Sequence, residues 1–307
     1  MAAACQRTAP LLSQDAAVRG DAAVQAQLLA FLGPLQHMLN DPLRRGLYVK
    51  LPFVLLENCI FDDCNIQADA EITVLAALAY WLREALVEQE HPGRQRIASV
   101  CSRIRFPNIP PAMLHLYWAY WRFLREFDPN NAVLKHAVVI GADPGQLAAV
   151  KGGLRSFQSE VARLEATCRS WLSPRAPPLQ GQPEPAVFDM QARLPEGQTS
   201  VTLDPYYWGG WFWRVEMSKS SEGSLGITLR AALSSCFEAR FSLGLQGAGC
   251  SWSCGCGASF FTHMGGHGWG ICKLGGQPIA WDDFWAPNSP WLVDGKASVR
   301  FTLDVPA

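Results

Sequence analysis

The spacing of apolar residues changes along the chain, from a helical period in the first half to strand-like alternation in the second. Between Glu71 and Glu88 the apolar residues recur at intervals of three and four, which places them on one stripe of an α-helix. The stripe consists of Leu75, Leu78, Ala79, Leu82 and Leu86. Asp69 precedes this segment as a candidate N-cap, because its carboxylate can accept a backbone hydrogen bond there.

Further helices are predicted before residue 172, where Ala, Leu, Arg and Glu dominate and favour helix. Pro110 and Pro111 suit a first helical turn and predict a helix over Met113–Arg125. A longer helix is expected over Gln146–Trp171, although a Gly-Gly pair inside it weakens the pattern.

The second half has the composition of strands and turns. After residue 200 lie 16 of the 26 glycines and 8 of the 12 tryptophans. Short strands are predicted at Ala186–Leu194, Trp208–Met217, Leu225–Ala231, Phe237–Leu245, Ala258–His263 and Val299–Val305. Helices followed by strands, without βαβ alternation, predict an α+β chain of two domains, one α-helical and one an antiparallel β-sandwich.

A proline-rich segment, Ser173–Pro185, separates the two halves. It has five prolines in thirteen residues, and proline lacks the N–H that a helix or a central strand needs. We therefore predict a helical domain over residues 1–172, a linker over 173–185 and a β-sandwich domain over 186–307.

Charge and cysteine content narrow the class of function. The formal net charge is −1 and the pI is about 6.6. Because there is no basic excess to neutralise phosphates, neither nucleic acid nor a membrane is expected as a partner. The first residues are not typical of a signal peptide, and no apolar stretch reaches about 18 residues, so we expect neither a secretion signal nor a membrane-spanning helix. Ten cysteines without a secretion signal predict free thiols in the cytoplasm or nucleus.

Residues 47–118 contain a set of positions that match the pattern of a known helical module. They are Leu51-Pro52, Leu56, Asp62-Asp63, Ile66, Glu71, Val74, Tyr80-Trp81 and, as the more specific part, Ser102-Arg-Ile-Arg-Phe-Pro107. This region resembles the BACK domain, the helical module that follows the BTB domain in many BTB proteins. Ala70 stands where the family usually has serine, and Asp69 could replace that cap.

Residues 186–305 contain a second set of positions, which match the pattern of a known β-sandwich domain. It consists of Gly268–Leu274, Trp281–Phe284, Trp291–Asp294 and the final predicted strand. This region resembles, more weakly, the MATH (meprin and TRAF homology) sandwich and the related C-terminal domain of plant BTB/BACK proteins. Ile271 stands where the family usually has phenylalanine.

The two resemblances imply a non-enzymatic protein–protein interaction protein, similar to the substrate-recognition part of a BTB/BACK adaptor of a cullin–RING ubiquitin ligase. A BTB domain takes roughly 100 residues, and 46 precede Leu47, so we expect none here. Engagement of a cullin-type ligase would then need a missing or separate BTB domain. We expect a protein or peptide ligand and no cofactor, and we leave homodimerisation open.

Cysteines and histidines cluster late in the chain, at Cys250, Cys254, Cys256, His263, His267 and Cys272. Such residues bind zinc, but a Gly-Gly pair between the histidines prevents a helix from placing both on one face. One interpretation is a small metal-binding protein or enzyme that uses this segment. The other, which we expect, is a small-residue-rich loop without metal. The sequence also lacks the P-loop and G-x-S-x-G motifs, so no enzyme activity is expected.

Two pairs of residues are candidates for protein binding. Alternation along a strand puts Trp211 and Trp213 on one face, where they either fill the core or form an exposed aromatic patch. The second resemblance places Trp269 and Ile271 in a shallow groove beside an exposed strand, where an extended peptide pairs with the sheet edge. A core position is the alternative for Trp269.

Overall fold

The chain divides into two compact units, residues 1–180 and residues 181–307. The computed structural model describes residues 22–85, 92–131, 133–135, 186–231, 237–248, 250–261, 267–271, 273–274 and 277–304, part of them by backbone alone. The division falls inside the predicted linker 173–185. That linker and the helix predicted over Gln146–Trp171 lie outside the described residues and stay predictions. In the part of the chain that is described, none of the helices has the length and hydropathy needed to cross a membrane.

The described part of the first unit is helical. Its helices are α1 (Ala22–Leu32), α2 (Leu35–Asn40), α3 (Pro42–Tyr48), α4 (Phe53–Leu55), α5 (Glu71–Glu84), α6 (Arg94–Cys101), α7 (Pro111–Tyr120) and α8 (Arg122–Phe127). Helix α4 runs directly into a π-helical turn at Leu56–Ile60, and a 3₁₀ turn at Phe106–Asn108 precedes α7.

Helix α5 lies at the centre of this unit. The predicted stripe is buried, since Leu75, Leu78, Ala79 and Leu82 are all at most 4% exposed. This confirms the predicted face, while Leu86 lies outside the described residues. Most other positions of the helix are also buried, so α5 is enclosed by its neighbours rather than half exposed to solvent.

Two hydrogen bonds from large side chains fix α5 to the preceding segments. The hydroxyl of Tyr48 donates to the carbonyl of Ala77 (3.0 Å), and Nε1 of Trp81 donates to the carbonyl of Leu51 (3.1 Å). Both rings are fully buried, and a buried polar atom without a partner is costly. Their hydrogen bonds therefore set the position of α5 more narrowly than apolar packing alone.

The start of α5 corrects the prediction for Asp69. Ala70 is the N-cap residue and makes no side-chain cap bond, whereas Asp69 accepts a hydrogen bond of 2.5 Å from the hydroxyl of Thr73. The carboxylate of Glu71 accepts a hydrogen bond of 3.0 Å from the backbone N–H of Arg105. The first turn of α5 is thus joined to the segment that follows α6.

The π-helical turn at Leu56–Ile60 is held by Arg103. Carbonyl groups at a helix end have no helical donor, and the wider π turn is intrinsically less favourable than an α turn. Nη1 of Arg103 donates to the carbonyls of Glu57 and Phe61, the second at 3.2 Å. A cation 46 residues further along the chain therefore satisfies the end of this turn.

The segment Ser102–Pro107, the most specific part of the first resemblance, has a structural role throughout. Arg103 holds the π-helical turn, Ile104 and Phe106 are fully buried, and the backbone of Arg105 is bonded to α5. The segment ties two parts of the helical unit together.

The predicted helix Met113–Arg125 is wrong in one respect, because the structure divides it into α7 and α8. Trp121 has an extended backbone (φ −92°, ψ 113°) at the break. The break allows the ring of Phe127 to stack on Phe106 at a centroid distance of 6.0 Å. Tertiary packing overrides the local helical preference at this point.

The described part of the second unit is built mainly from antiparallel strands. They are β1 (Ala186–Ala192), β2 (Ser200–Thr202), β3 (Tyr206–Trp208), β4 (Trp211–Lys219), β5 (Leu225–Ala231), β6 (Phe237–Gln246), β7 (Ser251–Phe261), β8 (His267–Ile271), β9 (Lys273–Leu274), β10 (Gln277–Pro278), β11 (Leu292–Val293) and β12 (Lys296–Asp304). A short helix, α9 (Trp281–Phe284), follows β10.

The strands form two larger sheets and a small hairpin. Sheet 1 has the order β1-β12-β6-β7, with β11 beside β12, and sheet 2 has the order β2-β4-β5-β8, with β3 beside β4. Strands β9 and β10 pair with each other. The α+β layout in two parts therefore agrees with the prediction.

The side chains of β12 alternate between a buried and an exposed face of sheet 1. Val299 and Phe301 are fully buried, while the exposed Arg300 between them binds Asp189 on β1 through two hydrogen bonds of 2.7 and 2.8 Å. This arginine holds the pKa of the Asp189 carboxyl below its usual value by hydrogen bonding. One face of sheet 1 is thus apolar and the other polar.

The predicted strand Trp208–Met217 is divided by a glycine turn. Gly209 and Gly210 both have positive φ (58° and 87°), the conformation of a two-residue hairpin turn that favours glycine. Strand β3 therefore folds back on β4, and Tyr206 pairs with Trp213. The other predicted strands begin and end close to their predicted bounds, except that β7 starts earlier, at Ser251.

Loss of the Arg103 side chain is expected to destabilise the helical unit. We predict that Arg103→Ala lowers the free energy of unfolding by about 1–3 kcal/mol, because buried carbonyls lose a charged donor. Urea unfolding, monitored by the circular dichroism signal of the helices, measures this effect. The control is Arg125→Ala on the exposed side of α8, and equal effects of the two substitutions would contradict the assigned role.

A second prediction concerns Gly247, after β6. A Cβ atom there would lie 2.1 Å from the carbonyl oxygen of Pro290 and 2.8 Å from Sγ of Cys250. We expect Gly247→Ala to lower the free energy of unfolding by about 1–3 kcal/mol or more through overpacking. Gly226→Ala is the matched control, because its nearest neighbour would be at an ordinary 3.5 Å. Thermal melts measure the difference, and equal melting temperatures of the two variants would contradict the prediction.

Candidate protein-binding sites

The free edge of sheet 2 is the first candidate site. Strand β8 is the last strand in the order of that sheet and pairs antiparallel with β5. Over the described residues, no strand is paired with its other side. An edge strand carries unpaired N–H and C=O groups that can accept another extended chain.

The register of β8 distinguishes its two candidate residues. Trp269 lies opposite Ile227, which is fully buried, whereas Ile271 lies opposite the half-buried Gly226. A bulge between the two β5 residues shifts the register there. Directly opposed residues of an antiparallel pair share a face. The register therefore distinguishes the positions of Trp269 and Ile271 along β5. The groove and core alternatives for Trp269 both stay predictions.

Trp211 and Trp213 do not form an exposed patch. They are 1% and 0% exposed, and Nε1 of Trp213 donates to the carbonyl of Trp208 (3.2 Å). Phe212, on the opposite face, is also buried. Of the two alternatives given for this pair, core filling agrees with the structure and the exposed patch is wrong.

The cysteine cluster corrects the predicted loop, because Cys254 and Cys256 lie within strand β7. They pair with Leu243 and Phe241 of β6, both buried residues. The thiol of Cys250 donates to the carbonyl of Pro290 (3.2 Å). These positions follow the alternation of a strand, not the spacing of a metal-binding knuckle.

The remaining metal candidates are only partly described. His267 begins β8 opposite Leu229, and His263 and Cys272 lie outside the described residues. Among the side chains that the structure describes, no group of three or more His, Cys, Asp or Glu residues could hold a metal ion. The metal-site alternative therefore stays a prediction.

Two cysteines of the helical unit are poorly suited to nucleophilic chemistry. Burial, reinforced by the charge of Asp62, raises the pKa of the Cys59 thiol to about 11. Burial alone raises the pKa of Cys101 well above its usual value. Because the thiolate is the reactive form, both residues act as small apolar side chains.

Sequence reasoning missed a groove in the helical unit, with a volume of about 710 Å³. It lies where α5 ends, α6 begins and α8 passes beside them. Leu82, Ile97, Trp121 and Phe123 supply its apolar surface. The groove depends on the helix break at Trp121, which the local sequence does not signal.

Charged residues surround this apolar surface. Arg83, Arg94 and Arg122 line the groove together with one acid, Glu126. Nε of Arg122 lies 2.7 Å from one Glu126 carboxylate oxygen, and Nε of Arg94 lies 3.4 Å from the other. Alternation of basic and aromatic residues around position 122 is the signal in the sequence that could have indicated such a surface.

Metal analysis checks the zinc alternative. We expect purified protein to carry far less than about 0.1 zinc per chain, because a structural site would be filled almost stoichiometrically. The measurement is elemental analysis after dialysis without chelator. About one zinc per chain, lost in a Cys254→Ser/Cys256→Ser variant that still folds, would establish the metal site instead.

The comparisons with known proteins leave these sites to be interpreted from the structure. No protein-family model matches the chain, and no curated protein is significantly similar to it.

Proposed function

We propose that this chain is a non-enzymatic protein–protein interaction protein whose second unit binds an extended peptide at the free edge of β8. The observation that carries the proposal is the position of β8 at the end of sheet 2, paired with β5 on one side. Main-chain hydrogen bonds to a sheet edge supply affinity for an added strand, and nearby side chains select its sequence.

The proposal includes a sandwich of the two sheets. Each sheet has a strongly apolar face, represented by Val299 and Phe301 in sheet 1 and by Ile227 and Leu229 in sheet 2. An apolar sheet face must be covered by another layer. Contact between Phe188 of β1 and Tyr206 of β3, at a centroid distance of 3.7 Å, supports covering of each sheet by the other.

Within this arrangement the two candidate residues of β8 have different roles. Trp269 lies opposite a core residue, so we assign it to the interior and to the stability of the edge. Ile271, beyond the bulge, is assigned to the groove that selects a side chain of the peptide. The backbone between them supplies the pairing surface.

The cellular role proposed here follows from the resemblances to BACK and MATH domains. The chain would act as the substrate-recognition part of a ubiquitin ligase adaptor, with the helical unit as a spacer or a second contact. Cullin contact would come from a missing or separate BTB domain. Burial of Ile104 and Phe106 and the bond from the backbone of Arg105 to Glu71 support a structural role for Ser102–Pro107, the most specific matched segment.

Hydrogen exchange can test the edge-strand proposal. Peptides that bind the full chain are first selected from a library of random extended sequences. We expect backbone amides of β8 to gain protection when such a peptide binds, while amides of β2, the opposite edge of the same sheet, do not. Protection of β2 alone, or protection of neither strand, would contradict the proposal.

An Ile271→Ser variant extends this test to specificity. We expect it to bind the selected peptides at least about tenfold more weakly, because it loses an apolar contact, with little change in melting temperature. Trp269→Ala is expected to lower the melting temperature instead. If Trp269→Ala weakened peptide binding and Ile271→Ser lowered the melting temperature instead, Trp269 would be assigned to the groove.

A further inference from the structure

The groove between α5, α6 and α8 is a second binding surface, located on the helical unit. We propose that it binds an acidic peptide segment of a partner protein that carries one large apolar anchor side chain. This site is independent of the β8 edge, because it lies in the other compact unit and uses side chains rather than an open strand.

The apolar part of the groove suits an anchor side chain. Leu82 and Ile97 form a floor and are each 4% exposed. Trp121 and Phe123 are half-buried, and their rings lie 5.9 Å apart with a tilt of 53°. The volume of about 710 Å³ falls in the range of pockets that bury most of a ligand, roughly 300–1,000 Å³.

The charges around the groove favour a negative ligand. Among the described residues the lining has three arginines and one glutamate, and Arg83 is also paired with Glu84 beside the groove (2.7 Å). The remaining excess is therefore +3 − 2 = +1, shared by Arg94 and Arg122. Arg94 and Arg122 share the single carboxylate of Glu126, and their side chains are 75% and 81% exposed. One carboxylate cannot neutralise two guanidinium groups. Exposed pairs of this kind are weak, about 0–1 kcal/mol, so both arginines can turn to additional carboxylates at small cost.

The arrangement of these groups identifies a peptide rather than a small anion. The cationic groups flank an apolar surface instead of converging on one point. A free phosphate would leave that surface uncovered, whereas a peptide can place an apolar side chain in the centre and carboxylates on the arginines. Arginine–carboxylate bonds are charge-assisted and frequently bidentate, which fixes the orientation of the bound segment.

Fluorescence polarisation with the full chain tests this proposal. The probe is a fluorescein-labelled short peptide of glutamates and aspartates around one central phenylalanine. Matched peptides replace the acids with lysine or the phenylalanine with serine. We expect saturable binding of the probe, at least about tenfold weaker binding of both replacements, and a loss of affinity as salt is raised.

Protein variants locate the binding on the chain. Arg94→Gln/Arg122→Gln changes two exposed side chains, and we expect it to weaken probe binding at least about tenfold. Arg125→Gln is the control, because Arg125 is exposed on the same helix but does not line the groove; its effect should stay within about twofold. Melting temperatures of all three proteins verify that the fold is kept.

Four outcomes would overturn the proposal: no binding of the probe, equal binding of the lysine peptide, equal binding of the serine peptide, or equal effects of the double and control variants. The third outcome would indicate attraction of any polyanion rather than an anchored site. An Ile271→Ser variant should bind this probe normally, so failure here and failure at the β8 edge can be told apart.

Discussion

The helical unit depends on satisfying the carbonyl groups of one irregular turn. A π-helical turn at Leu56–Ile60 ends with carbonyls that helix geometry does not pair, and Nη1 of Arg103 donates to those of Glu57 and Phe61. Since polar groups taken out of water without partners are costly, Arg103 stabilises the turn by lying against it. That requirement positions the segment after α6, and with it the backbone N–H that binds Glu71 on α5.

Periodicity predicted those features of the fold that arise from burial of one face. The stripe of α5 and the alternation in β12 are of this kind, because each buried position repeats at the period of its element. Features set by contacts distant in sequence were missed. The helix break at Trp121 occurs without glycine or proline, and it is explained by the packing of Phe127 on Phe106.

At the candidate sites, too, features set by contacts distant in sequence were missed. A glycine- and cysteine-rich sequence predicted a loop around Cys254, yet pairing with β6 makes it a strand, since small residues tolerate a sheet when their neighbours supply the hydrogen bonds. The alternation of basic and aromatic residues around position 122 does not locate the groove, because Arg94 and Arg122 belong to different helices and are joined through Glu126. Residue type indicated candidates, but only the fold brought them together.

The position of β12 in sheet 1 has a consequence for the order in which the second unit forms. This strand lies between β1 and β6 and hydrogen-bonds to both, although it is made more than a hundred residues after β1. A nascent chain that has not reached residue 296 leaves β1 and β6 without their shared neighbour. Sheet 1 therefore closes late during synthesis, and long-range pairings of this kind are formed slowly. Until then the backbone edges of β1 and β6 that face β12 are unpaired, and unpaired strand edges favour aggregation.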